Sequence, residues 1–79
     1  MQKFVLKDEF IKLGQLLKAA GLADSGAQAK EVIEEGRVLV NGEVEVRRGR
    51  KLRGGDVAEF DGERVAVCAN DGPTVTIDL

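Results

Sequence analysis

Phe10, Leu13, Leu16, Leu17 and Ala20 recur at steps of three and four residues, the spacing that lines apolar side chains along one helix face. Asp8 and Glu9 precede them, where negative charge suits the positive end of a helix, and Gly21 follows as a terminating glycine. The spacing predicts a first helix over residues 8–20. Ser25 followed three residues later by Gln28 is a capping-box pattern. Ala29, Val32 and Ile33 mark the apolar face behind it, and Gly36 is the stop, which predicts a second helix over residues 26–35. Only a few residues join the two helices, so they are expected to pack as a pair.

After Gly36 the period changes to two. Val38 and Val40 face one way and Arg37 and Leu39 the other. Asn41-Gly42 is a favoured two-residue hairpin turn, because both residues tolerate positive φ, and Val44 and Val46 continue the alternation. Charge interrupts it at Arg47-Arg48-Gly49-Arg50-Lys51. Further strands are predicted over 57–60 and 64–68, separated by the turn Asp61-Gly62 and preceded by Gly54-Gly55-Asp56. A short strand at 3–7 and an extra edge strand or loose tail within 70–79 complete the reading. The fold class is α+β: two packed N-terminal helices followed by a small antiparallel sheet. Its expected core is Leu13, Leu16, Leu17, Val32, Ile33, Val38, Val40, Val57 and Phe60. Phe4 and Phe10 are expected to join that core, and Cys68 to be a small core residue of the last strand.

The 79 residues make one expected domain, residues 1–79. No apolar run approaches the roughly 18 residues of a membrane span, and the start lacks the apolar stretch of a secretory signal. The single Cys68 cannot form an internal disulfide. These features point to the cytoplasm.

The net charge of −2 conceals a strong asymmetry. Residues 37–53 hold six basic side chains and two acids, for +4, whereas the rest of the chain carries −6. That distribution suggests a directed electrostatic surface. The chain contains no histidine and one serine, so Ser–His and Cys–His pairs are excluded and no His/Cys set could hold zinc. No phosphate-loop motif is present, and no enzyme activity or cofactor is expected.

The stretch 16–60 resembles the S4 RNA-binding domain. The resemblance rests on Leu16-Leu17, Gly21, Ser25, Ala29 and Ile33, then Gly36-x-Val38-x-Val40-Asn41-Gly42, Val44 and Gly55-Asp56. Ser25-Gly26-Ala27-Gln28-Ala29-Lys30 and Arg47-Arg48-Gly49-Arg50-Lys51-Leu52 are most similar to the small stand-alone YbcJ-like and YaaA-like bacterial members. S4 domains often carry Arg directly after the helix-two serine. Gly26 stands there in this chain, which shifts the weight of binding onto the arginines from Arg47 to Arg53.

The resemblance implies an RNA surface, of the αL type, made by helix two and the loop after the Val38–Val46 hairpin. Its candidate residues are Ser25, Gln28, Lys30, Arg37, Arg47, Arg48, Arg50, Lys51 and Arg53, with Lys18 a weaker one. Arginine forks and lysine point charges suit phosphate oxygens, and a helix N-terminus offers free N–H groups to the same partner. Several have a second reading: Ser25 as a cap alone, Lys30 as the i+4 partner of Glu34, Arg37 as the partner of a nearby acid.

Three phenylalanines and no Tyr or Trp leave little on which to stack splayed bases. The expected ligand is therefore structured RNA, held through shape and backbone; the resemblance implies ribosomal RNA first and transfer RNA next, bound by a monomer at the ribosome or its precursors. The alternative is a protein-interaction module that docks an acidic partner on the same loop. Replacing Arg47, Arg48 and Arg50 together by Ala is expected to leave folding intact.

Overall fold

Both helices end in the same way, and their ends set the path of the chain. The structure, a computed structural model, describes residues 1–70. Helix α1 (Leu13–Ala19) buries Leu13, Leu16 and Leu17; helix α2 (Gly26–Glu34) buries Ala29, Val32 and Ile33. After α1, Gly21 adopts φ +78°, and the Leu22 N–H donates to the Leu17 carbonyl. After α2, Gly36 adopts φ +78°, and the Arg37 N–H donates to the Val32 carbonyl. This left-handed glycine closure satisfies carbonyls that a helix end leaves orphaned. The glycine stops expected from the sequence stand.

Strands β3 (Val38–Val40) and β4 (Glu43–Val44) form the hairpin on Asn41 and Gly42, with φ +53° and +85°. A second hairpin joins β6 (Val57–Phe60) to β7 (Glu63–Cys68) through Asp61 and Gly62, with φ +54° and +81°. Positive φ at both turn residues matches the right-handed twist of the strands. Strand β1 (Gln2–Val5) pairs in parallel with β7, so the five-stranded sheet runs β1-β7-β6-β3-β4 and is mixed. The strands after the helices pair antiparallel, as expected; the parallel pair comes from the segment before them. A separate two-stranded ladder joins β2 (Ile11–Lys12) to β5 (Lys51–Leu52).

The helices share one core with alternate residues of the sheet: Val38 and Val40, Ala58 and Phe60, Val65 and Val67. Leu6 and Leu52 close it from the flanking segments. The α+β architecture is the expected one, with five corrections. The first helix begins at Leu13 rather than residue 8, because Ile11 and Lys12 are drawn into the ladder with β5. Phe10 is therefore half-buried and outside the core. Val57 is half-buried while Ala58 and Phe60 face inward, since residues an odd number apart on a strand cannot share a face. Cys68 lies on the face of β7 opposite Val65 and Val67 and is half-buried. The return strand is also short: β4 ends at Val44, and both Val44 and Val46 are exposed. The reading of 70–79 as edge strand or tail falls almost wholly outside the described residues.

Candidate nucleic-acid interface

The basic segment leaves the sheet at Glu45, and this acid is the first surprise. Glu45 is 6% exposed, a nearly buried carboxylate at the edge of an arginine-rich loop. Arg47 meets it with its backbone N–H, Nε and Nη2, each at 3.0 Å, and Arg50 Nη1 donates at 2.9 Å. These bonds, first from Arg47 and then from Arg50, hold the Glu45 carboxyl at about 2 against the burial that would raise it. The Glu45 side chain in turn raises the Arg47 guanidinium.

Backbone atoms fix the next stretch. The carbonyls of Arg48 and Arg50 accept from the N–H groups of Gly14 and Leu13, at 3.0 and 2.8 Å. Those N–H groups belong to the first turn of α1, which has no partners of its own for them. A Cβ on Gly14 would lie 3.6 Å from Arg48, so loop and helix pass in contact. Pairing of β5 with β2 then clamps Lys51 and Leu52, and Leu52 is fully buried. The loop ends where the Arg53 N–H donates to Asp56 Oδ2 at 2.8 Å and Asn41 Nδ2 donates to Asp56 Oδ1 at 3.0 Å. Burial pushes the Asp56 carboxyl up, but these two donors and the nearby Arg50 and Arg53 charges bring it below its ordinary value.

Docked this way, the loop forms one wall of a groove of about 490 Å³. Arg48 and Gly49 line it from the loop, Lys12 from the end of β2, Gly14, Gln15 and Lys18 from α1, and Gly26 from the start of α2. Ser25 Oγ accepts from the Gln28 N–H at 3.1 Å, so Ser25 is a cap. Gln28 Oε1 accepts from the Asp24 N–H, which leaves the Gln28 amide NH2 as a donor. With Gly26 in place of a longer side chain, the backbone at the head of α2 opens directly onto the groove.

The candidate residues thus separate. Arg48 and the head of α2 meet at the groove. Neither Lys51 nor Arg53 lines it; their cations lie 4.8 and 5.6 Å from the centroid of the Phe10 ring. Arg47 and Arg50 are bound to Glu45, and the expectation that their loss leaves folding intact needs correction for that reason. Lys30 is exposed and makes no ion pair among the described residues, with Glu34 or otherwise. Arg37 stands past the far end of α2, about 15 Å along the helix from its start at ~1.5 Å per residue. It pairs with Glu35 and Asp61, both at 3.4 Å, over the Phe60 ring. The structure does not bring it to the groove.

Lys12 and Gln15 line the groove although neither was an expected site residue, and Lys18, the weaker expectation, lines it with them. Their spacing of three residues along the exposed side of α1 is the signal that could have found them. Among the described residues no cluster of three or more His, Cys, Asp or Glu could hold a metal ion, and no helix is long and apolar enough to cross a membrane.

The chain is similar to known proteins. The family model described as "S4 domain" matches residues 4–68. The chain is 54% identical over 54 residues to the "Probable ribosome maturation protein RlbA" of Bacillus subtilis strain 168, covering 68% of this chain and 76% of that protein. It is 44% identical over 63 residues to the "Putative RNA-binding protein YbcJ" of Escherichia coli K12, covering 80% and 90% of the two chains. The solution structure of E. coli YbcJ, described as revealing an αL motif involved in RNA-binding, superposes with a TM-score of 0.68. That match has 44% identity and covers 87% of this chain and 89% of the other. A helix pair, a Val-Asn-Gly hairpin tied to a Gly-Asp turn, and a basic loop docked on the first helix are what these matched residues build, and the chain belongs to the S4 domain family.

Proposed function

We propose that the protein is a non-catalytic RNA-binding protein that holds structured RNA in the groove between the head of α1, the head of α2 and the basic loop. Ribosomal RNA is the first candidate ligand and transfer RNA the second. The protein acts as a monomer in the cytoplasm, at the ribosome or its precursors. One observation carries this reading: Lys12, Lys18 and Arg48 converge on one groove, and none of the three makes an ion pair among the described residues. Cations without an internal partner are available to phosphate oxygens, whereas Arg47 and Arg50 are already engaged. The names of the relatives, one for RNA-binding and one for ribosome maturation, support the same choice.

The test is crosslinking and sequencing of RNA bound to the tagged protein in cells. The control variant carries Lys12→Ala, Lys18→Ala and Arg48→Ala, which leave the Glu45 cluster untouched. Enrichment of defined ribosomal or transfer RNA helices, lost in the variant, is the expected result. In vitro, the slope of log affinity against log salt should flatten by roughly 0.7–0.9 for each phosphate contact removed. A variant that retains the same RNAs would overturn the groove assignment, and competition by an acidic protein partner would then become the reading to pursue.

A further inference from the structure

Phe10 is an aromatic residue that the hydrophobic core does not absorb. It is half-buried, lies outside the core cluster, and carries the Lys51 and Arg53 cations above its ring. It also lines a cavity of about 470 Å³, floored by Phe4, Leu6 and Ile11 and walled by Gln15 and Lys18. That volume falls in the range of small-ligand sites, roughly 300–1,000 Å³. Neither Lys51 nor Arg53 lines the cavity, so the ring meets the cations and the cavity with different parts of its surface. Gln15 and Lys18 line both this cavity and the phosphate groove, and so form the shared wall between them.

We propose that this cavity receives one unpaired nucleobase of the bound RNA, stacked against Phe10, while the flanking phosphates lie in the adjoining groove and along Lys51 and Arg53. The inference rests on the RNA-binding reading above and names its substrate class: a helix interrupted by an unpaired nucleotide rather than a continuous duplex. Three features favour a nucleobase. The floor is apolar, as a π-face requires. Of its charged lining, Lys7 and Lys18 outnumber the one acid, Asp8, as a nucleotide's phosphates require. The cavity and the groove share Gln15 and Lys18, so a base in one and its phosphate in the other are separated by no more than those side chains. The Gln15 carbonyl oxygen is engaged by the Lys12 N–H at 3.3 Å, and its amide NH2 remains to donate to a base edge.

The experiment compares two RNA hairpins of equal length, one fully paired and one with a single bulged 2-aminopurine in the stem. Each is titrated at one salt concentration against the full chain and against Phe10→Leu. Leucine keeps the site apolar and removes the ring, and matched melting temperatures of the two proteins establish an unchanged fold. The bulged hairpin is expected to bind the parent protein roughly fivefold to a hundredfold tighter than the paired one, the range base–aromatic stacking supplies. The 2-aminopurine emission should change on binding the parent and not Phe10→Leu, and the preference should disappear in the variant. Equal binding of both hairpins by the parent, or a preference that survives Phe10→Leu, overturns the base pocket and leaves the groove intact. Absence of binding to either hairpin overturns the RNA-binding reading and the base pocket with it.

Discussion

The side-chain amide of Asn41 donates to Asp56 Oδ1 at 3.0 Å, and so joins two turns fifteen residues apart in the chain. The Asn41 side-chain oxygen accepts from the Val57 N–H at 2.9 Å, and its backbone N–H donates to the Val57 carbonyl at 2.8 Å. Asp56 uses its second oxygen for the Arg53 N–H. The hairpin thereby fixes the point where the basic loop returns to the sheet.

Asn41→Ala should therefore lower stability by about 1–2 kcal/mol, since it removes two side-chain hydrogen bonds and strains a residue at positive φ. Asn41→Gly relieves the strain and still loses the bonds, and should fall between parent and Ala. Urea unfolding midpoints of the three proteins would order them. Equal midpoints for parent and Ala would show that the link between the turns contributes nothing.

Glu45 makes stability depend on acid. Its carboxyl sits at about 2 in the folded protein, below an ordinary value of 4.5. A depressed carboxylate stabilises the fold above its unfolded pKa and loses that contribution as pH falls through the folded one. The melting temperature should drop between about pH 4.5 and 2. In Glu45→Gln the drop should be shallower, with Asp56 contributing the remainder. The contribution is roughly 1–3 kcal/mol, toward the low end because Arg47 is exposed to water. Arg47→Ala with Arg50→Ala, which strands the buried carboxylate, should destabilise the protein at pH 7, whereas Arg48→Ala should not. Calorimetry across pH checks both statements.

Gly54 is held by a neighbour rather than by its own conformation. A Cβ there would lie 2.8 Å from Ala69 Cβ and 2.9 Å from the Ala69 nitrogen. Gly54→Ala should cost about 1–3 kcal/mol, as overpacking does. Gly49→Ala, where a Cβ would meet nothing within 4 Å, should change stability by less than about 0.5 kcal/mol. Matching thermal shifts in the two variants would contradict the close approach.

Local signals carried most of the fold. The Ser25 cap, the glycine stops at Gly21 and Gly36, and the Asn41-Gly42 and Asp61-Gly62 turns are decided within a few residues, and each was legible. The start of α1 was not. Phe10 and Leu13 have helical spacing, yet Ile11 and Lys12 take strand geometry because Lys51 and Leu52 arrive from forty residues away. The parallel pairing of β1 with β7 is non-local for the same reason. At the site, the concentration of arginines was visible but their division of labour was not. Glu45 reads as one more surface charge until the turn brings Arg47 and Arg50 onto it. Phe10 reads as core until the helix is seen to begin after it.

The loop is fastened to α1 by the carbonyls of Arg48 and Arg50, atoms that every amino acid possesses. The side chain at position 48 is thus a passenger on its own attachment. Exchange there alters what the surface presents without altering how the surface is built, so one frame can serve as a socket for different targets. Position 45 has no such freedom, and change at 47 or 50 is tolerated only together with it. Adaptation of this edge to a new ligand would therefore run through 48 and its neighbours on α1, while the acid and its two arginines stay fixed as a unit.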